Sequence, residues 1–417
     1  MHKPHCDNIP PIPFAYPYIK TEEEEAVLRV LRSGWLTTGA ETLAFEKEFS
    51  EFFRSPEPLY SLAVNSATSG LHLGLEACGV RQGDLVLVPS YTFTSTAEVV
   101  RYLGADPVFI DSVQGGFHID PIAAESTIKN LIEGRNPYTG AAVSAGEWPG
   151  KHRPIKAIMP VHFGGLACDM HAVTELSKKY GLKIIEDAAH SFPSLSSEGW
   201  AGTAGDVGVF SFYATKTLAT GEGGMVVCHD KTMADRISLM RSHGIDRSVW
   251  DRYTNTAASW YYEVVEAGYK YNLPDLLAAV GRAQLSRAYE LLDMRESIAA
   301  RYDAAFAENK HFLIPASGIG DARHLYPLRL NPGALRISRN DFIDKLKKNG
   351  IGVSVHFIPL HSMPFYKNRY LIDENSLPCS MNTFQQEISL PIWPGMSGDQ
   401  IDRVIELVID TAREYTV

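Results

Sequence analysis

Short apolar runs recur through the first half of the chain and are separated by longer amphipathic stretches. The runs at 59–64, 85–89, 107–110, 155–161, 183–186, 207–210 and 224–228 predict seven strands. The stretches around them predict helices at 21–32, 41–53, 66–78 and 95–103. Strands that are buried on both faces are continuously apolar, and helices between strands imply parallel order. The pattern therefore predicts an open, mostly parallel α/β sheet with helices on both faces.

The pattern changes in two places. The stretch 134–154 is rich in Gly, Pro and polar residues, and it predicts a surface excursion before the strand at 155. The stretch 276–299 is long and has a helical pattern, and we expect it to lead from the large domain into a smaller α+β unit. We expect an N-terminal arm at 1–20, a large α/β domain at 21–285 and a small C-terminal α+β domain at 286–417.

Composition limits the possible partners. The 417 residues carry a formal net charge of -10, which argues against a general surface for nucleic acid or anionic membranes. No apolar run approaches the roughly twenty residues of a membrane span. Five scattered cysteines without a C-x-x-C pair argue against disulfides and favour a reducing cytoplasm. His2, His5 and Cys6 indicate a polar tail more than a metal site, so no metal is expected.

Two polar residues follow predicted strands in positions that suit cofactor chemistry. Asp187 directly follows the run 183–186, and Lys216 lies shortly after the run 207–210. A lysine amine forms a Schiff base with the aldehyde of pyridoxal 5'-phosphate (PLP), and a carboxylate keeps the pyridine nitrogen protonated. Ligands of open α/β sheets gather at the carboxyl ends of strands, where Asp187 falls. The pair predicts a PLP-dependent enzyme.

Further candidate contacts surround this pair in the sequence. The polar turn 65–71 joins a strand to a helix, where backbone N–H groups and hydroxyls can bind a phosphate. Taken alone, such a turn is more often an ordinary helix cap. Phe93 can stack on a cofactor ring or belong to the core. Ser211 can offer a hydroxyl to the phosphate, and His190 is either a cofactor contact or a core histidine.

Several motifs together resemble the DegT/DnrJ/StrS family of PLP-dependent sugar aminotransferases, within the fold-type I aspartate aminotransferase superfamily. The resemblance extends from about residue 13 to the C-terminus. It is carried by 33–39 with 45–46, 65–71, 104–111, 160–162 with 164–165, 186–190, 210–212 with Lys216, 221–225, 268–273, Asp275, 278–281 and 284–285. The resemblance implies the fold-type I architecture, with a mostly parallel seven-stranded sheet and a smaller C-terminal α+β domain.

The resemblance also implies roles for individual residues. Lys216 would be the Schiff-base lysine and proton shuttle, and Asp187 would bind the pyridine nitrogen. The remaining cofactor contacts would come from Thr68, Ser69, Phe93, His190 and Ser211. Lys270 or Asn272 would reach the phosphate site of a neighbouring subunit, which implies a homodimer with shared active sites. Candidate substrate contacts are Trp35, Thr37, His162, Arg241, Arg247 and His356. A negative diphosphate needs cations, for which Arg241, Arg247 and Lys270 are candidates, although solvated surface charge is the commoner fate of any one of them.

The implied reaction is a ping-pong transamination in the biosynthesis of deoxyamino sugars for surface polysaccharides or glycoconjugates. L-glutamate would donate the amino group and leave as 2-oxoglutarate, and a nucleotide-diphosphate keto-sugar would accept it. This chain has Lys270-Tyr271-Asn272 where many members have Asn-Tyr-Arg, a variant similar to the subgroup that aminates 4-keto-pentoses on UDP. That variant does not fix the sugar, the ring carbon or the nucleotide.

Two alternatives stay open at this point. Sugar dehydratases of the same family use the aminated cofactor with His in place of the lysine, and Lys216 argues against that class. A non-catalytic regulatory protein on the same fold is the other alternative, because a fold does not determine a function.

Overall fold

The computed structural model describes residues 10–143, 148, 153–246, 260–318 and 320–417. Its strands are β1 (Tyr60–Val64), β2 (Leu85–Pro89), β3 (Asp106–Ile110), β4 (Ile155–Ile158), β5 (Lys183–Asp187), β6 (Leu195–Ser196), β7 (Gly199–Trp200), β8 (Val207–Ser211), β9 (Gly224–Cys228), β10 (Phe312–Leu313), β11 (Tyr326–Leu330) and β12 (Glu387–Leu390). Seven of them form the main sheet in the order β1-β9-β8-β5-β4-β2-β3. β9 runs antiparallel to both neighbours and the other pairs are parallel. This confirms the predicted fold class.

Helices cover both faces of this sheet and build most of the C-terminal part. Their bounds are Thr21–Ser33, Ala40–Phe52, Ala67–Ala77, Ser95–Tyr102, Pro121–Ile132, Met170–Tyr180, Lys231–Met240, Asp275–Ser286, Ala288–Phe306, Arg339–Lys348, Pro364–Tyr370, Pro378–Gln386 and Gly398–Glu414. Across the described ranges, no helix combines the length and the apolarity that crossing a membrane would need.

Strand β2 shows why the central strands are continuously apolar. Val86 and Val88 pack into one core with the helices Ala67–Ala77 and Ser95–Tyr102. Leu85 and Leu87 point to the opposite face and pack with the helices Pro121–Ile132 and Met170–Tyr180. Because successive side chains alternate between faces, a strand between two helical layers buries every position.

The stretch predicted to be helical over 276–299 is helical, with one break. The structure has two helices, Asp275–Ser286 and Ala288–Phe306, and Arg287 between them has φ -112° and ψ 13°. The guanidinium of Arg287 binds the buried carboxylate of Glu23 at 2.8 Å. A side chain from the distant N-terminal helix therefore meets the chain at the break, and apolar periodicity does not show such a contact.

The C-terminal part has its own core, in which Ile12 packs with apolar residues between 298 and 412. The segment 360–377 behaves differently, because its apolar residues Leu360, Tyr366, Tyr370, Ile372 and Leu377 join the core of the main sheet. The predicted small domain at 286–417 therefore contributes one segment to the large domain's packing.

The predicted excursion at 134–154 is described at 134–143, 148 and 153–154. The Tyr138 hydroxyl accepts a hydrogen bond from the backbone N–H of Phe109 on β3 at 3.1 Å. Trp148 stacks with Tyr138 and lies 4.7 Å from Tyr370, measured between ring centroids. The described part of the excursion thus covers the outer edge of the sheet. His2, His5 and Cys6 lie outside the described residues.

A single buried carboxylate joins the N-terminal helices to the helix Asp275–Ser286. Asp275 accepts hydrogen bonds from the backbone N–H groups of Gly39 at 2.7 Å and Thr42 at 3.0 Å, and from the Thr42 hydroxyl. It thereby caps the helix Ala40–Phe52, whose own first residues offer no capping side chain. A Cβ at Gly39 would lie 2.3 Å from the Trp35 Nε1 atom, so this close approach needs glycine.

We predict that Asp275→Asn lowers the free energy of unfolding by about 1–3 kcal/mol, because an amide loses the charge-assisted bonds and places a donor against backbone donors. Urea denaturation at fixed protein concentration measures this change. Asp293→Asn, an exposed acid on the next helix, is the matched control and should shift the midpoint little. Equal midpoints for both variants would contradict the capping role.

Candidate active site

Seven of the predicted site residues line one cavity of about 450 Å³: Thr68, Phe93, Asp187, His190, Ser211, Lys216 and His356. Parallel pairing of β5 and β8 explains part of this arrangement, because it brings Asp187 and Ser211 to the same edge of the sheet. Lys216 follows in the turn between β8 and β9, where its backbone N–H donates to the Tyr213 carbonyl at 2.8 Å. Sheet topology thus brings together residues that are far apart in sequence.

A basic side chain, Lys216, and an acidic side chain, Asp187, line this cavity together. Burial lowers the pKa of Lys216 to about 8, and the charge of Asp187 opposes that shift. Burial raises the pKa of Asp187, while bonds from the Thr96 hydroxyl at 2.8 Å and the Ala189 N–H at 3.2 Å stabilise its carboxylate. A pyridinium beside Asp187 would add the positive charge that this buried carboxylate favours.

Another part of the cavity lining suits a phosphate. The helix Ala67–Ala77 begins there, capped by the Ser66 hydroxyl, and the first N–H groups of a helix have no partner within it. Thr68 and Ser211 add hydroxyls to the lining. A Cβ at Gly224 would lie 2.8 Å from the Ala67 nitrogen, so glycine keeps the start of this helix open.

The donors and acceptors of this lining fit PLP. Helix N–H groups and hydroxyls would hold the phosphate, the Asp187 carboxylate would bind the ring nitrogen, and Lys216 in the same cavity would hold the aldehyde carbon. Phe93 lines the cavity and the residue is 55% exposed, so an aromatic side chain is available there for stacking.

Two histidines complete the polar lining. His190 Nδ1 accepts a hydrogen bond from the Gly164 N–H at 3.2 Å, which leaves the proton of the neutral ring on Nε2. Burial, with the charge of Lys216, holds the pKa of His190 well below its usual value. His324 was missed by sequence reasoning, yet its ring lies 4.5 Å from His190 and lines the cavity. The sequence signal that could identify His324 is its position as a histidine just before strand β11.

Three of the predicted residues, His162, Arg241 and Ser69, do not line the cavity. His162 is fully buried, and its ring nitrogens bind the Glu186 carboxylate at 2.8 Å and the Cys168 N–H at 3.1 Å. The buried Arg241 guanidinium binds Glu46 and the Ala63 carbonyl.

The structure therefore corrects the expectation that His162 and Arg241 contact substrate, because both side chains are buried, bind other protein groups and do not line the cavity. Ser69 is also turned away, since its hydroxyl donates to Asn65 Oδ1 at 2.8 Å. Arg247 lies outside the described residues.

Four other predicted residues form a separate cluster beside the cavity. Asn272 donates to the Thr38 hydroxyl at 2.6 Å, which joins the loop of Trp35 and Thr37 to the segment that carries Lys270. This segment pairs with the end of β1, where Val64 bridges to Asn272. None of the four lines the cavity of its own chain.

Comparisons with known proteins point to one enzyme family. A sequence profile of the DegT/DnrJ/EryC1/StrS aminotransferase family matches residues 17–409. The spore coat polysaccharide biosynthesis protein SpsC of Bacillus subtilis is 39% identical over 406 residues, which cover 96% of this chain and 97% of SpsC.

Solved structures give the same result. The putative sugar aminotransferase Spr1654 of Streptococcus pneumoniae, in its PMP form, is 30% identical with a TM-score of 0.84, covering 97% of this chain and 99% of that one. Helicobacter pylori PseC, an aminotransferase in pseudoaminic acid biosynthesis, is 26% identical with a TM-score of 0.83. The match covers 97% of this chain and 100% of the PseC chain.

We predict a distinctive pH dependence when PLP is added to cofactor-free enzyme. Only the neutral amine attacks the aldehyde, so a Lys216 pKa of about 8 implies a rate that rises roughly fivefold from pH 7 to 8 and roughly twofold from pH 8 to 9. The absorbance of the lysine-bound cofactor follows this reaction.

Nα-acetyl-lysine with PLP is the parallel control, because it shares the cofactor's own ionisations. With an ordinary pKa, its rate should rise about tenfold for each pH unit over this range. If the enzyme and the control show the same slope up to pH 9, the pKa of Lys216 is not lowered.

Proposed function

Because this chain belongs to the DegT/DnrJ/EryC1/StrS aminotransferase family, we propose that it transfers an amino group from L-glutamate to a nucleotide-diphosphate keto-sugar. Its family and structural relatives are PLP-dependent sugar aminotransferases. The observation that carries the proposal is the cavity that holds Lys216, Asp187 and the start of the helix Ala67–Ala77 together. The names of SpsC and PseC support a role in making amino sugars for polysaccharides or glycoconjugates.

The residues of the cavity divide the chemistry among them. PLP, when bound, acts as an electron sink for bond cleavage at the α-carbon of the amino donor. Lys216 holds the cofactor, and its Nζ moves the proton on and off that carbon, for which a pKa near the working pH is favourable. Asp187 keeps the ring nitrogen protonated, and neutral His190 offers an Nε2–H donor to the cavity.

Lys216 also separates this proposal from the dehydratase alternative. An aminotransferase consumes L-glutamate and releases 2-oxoglutarate, whereas a dehydratase removes water from the sugar and returns no amino-sugar product.

The free thiols of Cys78, Cys168, Cys228 and Cys379 support a reducing cytoplasm as the location within the same proposal.

The direct test supplies purified PLP-loaded enzyme with L-glutamate and a panel of nucleotide-linked keto-sugars. We predict 2-oxoglutarate release coupled to amination of at least one sugar, detected by mass spectrometry. Lys216→Ala should lose essentially all of this turnover, because no other group holds the cofactor covalently. Lys178→Ala removes an exposed lysine whose ion pair is with Glu175, and it should keep wild-type turnover. Wild-type turnover by Lys216→Ala would refute the central assignment.

The cluster outside the cavity supports a second part of the proposal, a homodimer with two shared active sites. Lys270 is exposed, Asn272 and Trp35 are half-buried, and Asn272 bridges to Val64 at the end of β1. In a two-fold dimer, each such cluster can complete the cavity of the partner. Lys270 and Asn272 would then meet the partner's cofactor phosphate.

Mixing two inactive variants tests the shared sites. Lys216→Ala chains and chains with both Lys270→Ala and Asn272→Ala should form heterodimers in which one site carries both lesions and the other carries none. Random 1:1 association should then restore roughly one quarter of wild-type activity. Lys216→Ala mixed with Asp187→Asn is the matched control and should stay inactive, because each site keeps one lesion. Heterodimers of the first pair that remain inactive would contradict shared sites.

A further inference from the structure

A chain of three polar side chains leads from the protein interior to the active-site cavity. The His356 ring lines the cavity, and its Nδ1 lies 2.8 Å from the Ser389 Oγ atom. The same Ser389 hydroxyl is hydrogen-bonded to the Oε1 atom of Glu387. Glu387 is fully buried, and nothing in the reaction outlined above uses it.

The His356 residue is fixed on several sides. Its backbone N–H donates to Glu387 Oε2 at 3.0 Å, and its carbonyl accepts a hydrogen bond from the Tyr91 hydroxyl at 2.6 Å. Phe14 stacks on its ring at 5.3 Å between centroids. With Nδ1 held by Ser389, Nε2 is the polar ring atom left for a ligand in the cavity.

The surroundings of Glu387 favour its neutral form near neutral pH. Burial raises the pKa of Glu387 to about 8, and bonds from Ser389 and the His356 N–H oppose the shift. The partly buried Arg339 also opposes it, and its guanidinium donates to the Glu387 carbonyl at 2.8 Å. The Tyr91 hydroxyl, which also faces Arg329, is a neutral neighbour in this pH range.

His356 itself stays uncharged over the same range. Burial and the charge of Lys216 lower the pKa of His356 to about 4. A change at Glu387 therefore cannot act by charging the imidazole, but it can change which ring nitrogen carries the proton.

The hydrogen bonds allow two arrangements of protons. When Glu387 is protonated, its O–H donates to Ser389, the Ser389 hydroxyl donates to His356 Nδ1, and the ring proton lies on Nε2. When Glu387 is ionised, Ser389 donates to the carboxylate, His356 Nδ1–H donates to Ser389, and Nε2 becomes an acceptor. The change from the first arrangement to the second releases one proton: the Glu387 proton passes to Ser389, the Ser389 proton passes to His356 Nδ1, and the Nε2 proton leaves to water in the cavity.

We propose that Glu387 is a positioning residue that selects, through Ser389, whether His356 presents a donor or an acceptor to the substrate. The donor form matches oxygens that only accept hydrogen bonds, such as the carbonyl or phosphate oxygens of a nucleotide keto-sugar. This substrate contact rests on the proposed function, whereas the proton arrangement does not.

The tautomer of His356 can be measured without any substrate. Long-range ¹H–¹⁵N correlation spectra of PLP-loaded enzyme with ¹⁵N-labelled histidine distinguish Nε2–H from Nδ1–H rings. The His356 signals are identified by their loss in His356→Gln. We expect the wild-type ring to change from Nε2–H to Nδ1–H as pH rises through about 8.

Two variants remove the coupling in different ways. Glu387→Gln keeps the shape and always presents an amide donor to Ser389, so His356 should stay Nε2–H at every pH. Ser389→Ala breaks the connection and should abolish the pH-dependent change while Glu387 remains. Glu406→Gln, an exposed acid in the helix Gly398–Glu414, is the charge-matched control and should behave as wild type. A wild-type ring that does not change, or a change that persists in Glu387→Gln, would overturn the proposal.

The kinetic readout tests the substrate contact. With a keto-sugar that the enzyme aminates, wild-type kcat/KM should fall about tenfold relative to Glu387→Gln between pH 7 and pH 9, because the donor form becomes scarce. Parallel pH profiles would overturn the substrate contact even where the spectra support the coupling. If no keto-sugar is aminated, the proposed function fails, and the spectra still decide whether Glu387 controls His356.

Discussion

The buried carboxylate of Glu186 is the constraint on which the site geometry depends. Glu186 precedes Asp187 on β5, so alternation sends Glu186 to one face of the sheet and Asp187 toward the cavity. Its oxygens accept hydrogen bonds from the N–H groups of Gly202 at 2.8 Å, Ala204 at 2.8 Å and Gly205 at 2.6 Å. An unpaired charge at this depth would be costly, so the loop that leads into β8 must close around it.

The same carboxylate also fixes the other side of the cavity. Glu186 binds His162, whose second nitrogen accepts from the Cys168 N–H, and these bonds hold the turn Phe163–Gly165. That turn supplies the Gly164 N–H that orients His190. One residue with no access to the substrate thus positions groups on both neighbouring strands, which explains why His162 is structural although it lies in a family motif.

The sequence allowed correct prediction of features that depend on local pattern. The seven strands of the main sheet and the positions of Asp187 and Lys216 follow from apolar runs and from the residues that end them. It could not predict features set by distant contacts. In the sequence, Arg241 is a cation without a visible partner, but in the structure it binds Glu46 and the Ala63 carbonyl. Arg287 lies in a helical pattern, but in the structure it binds Glu23 and ends a helix. Glu387 and Ser389 give no signal in the sequence, because their partner His356 lies on a different segment that the pairing of Ser354 with Ser389 brings close.

The charge balance of the cavity supports the proposal that its sites are shared. Among the described residues that line it, Lys216 is the one cationic side chain, while Asp187 and Glu222 bring carboxylates and the histidines stay neutral. A cofactor phosphate and a nucleotide diphosphate together carry several negative charges, more than one helix N-terminus balances. With the substrate proposed above, further cations would come from outside this set. The exposed Lys270, in a segment joined to the edge of β1, has the charge and the position to serve a second copy of the chain.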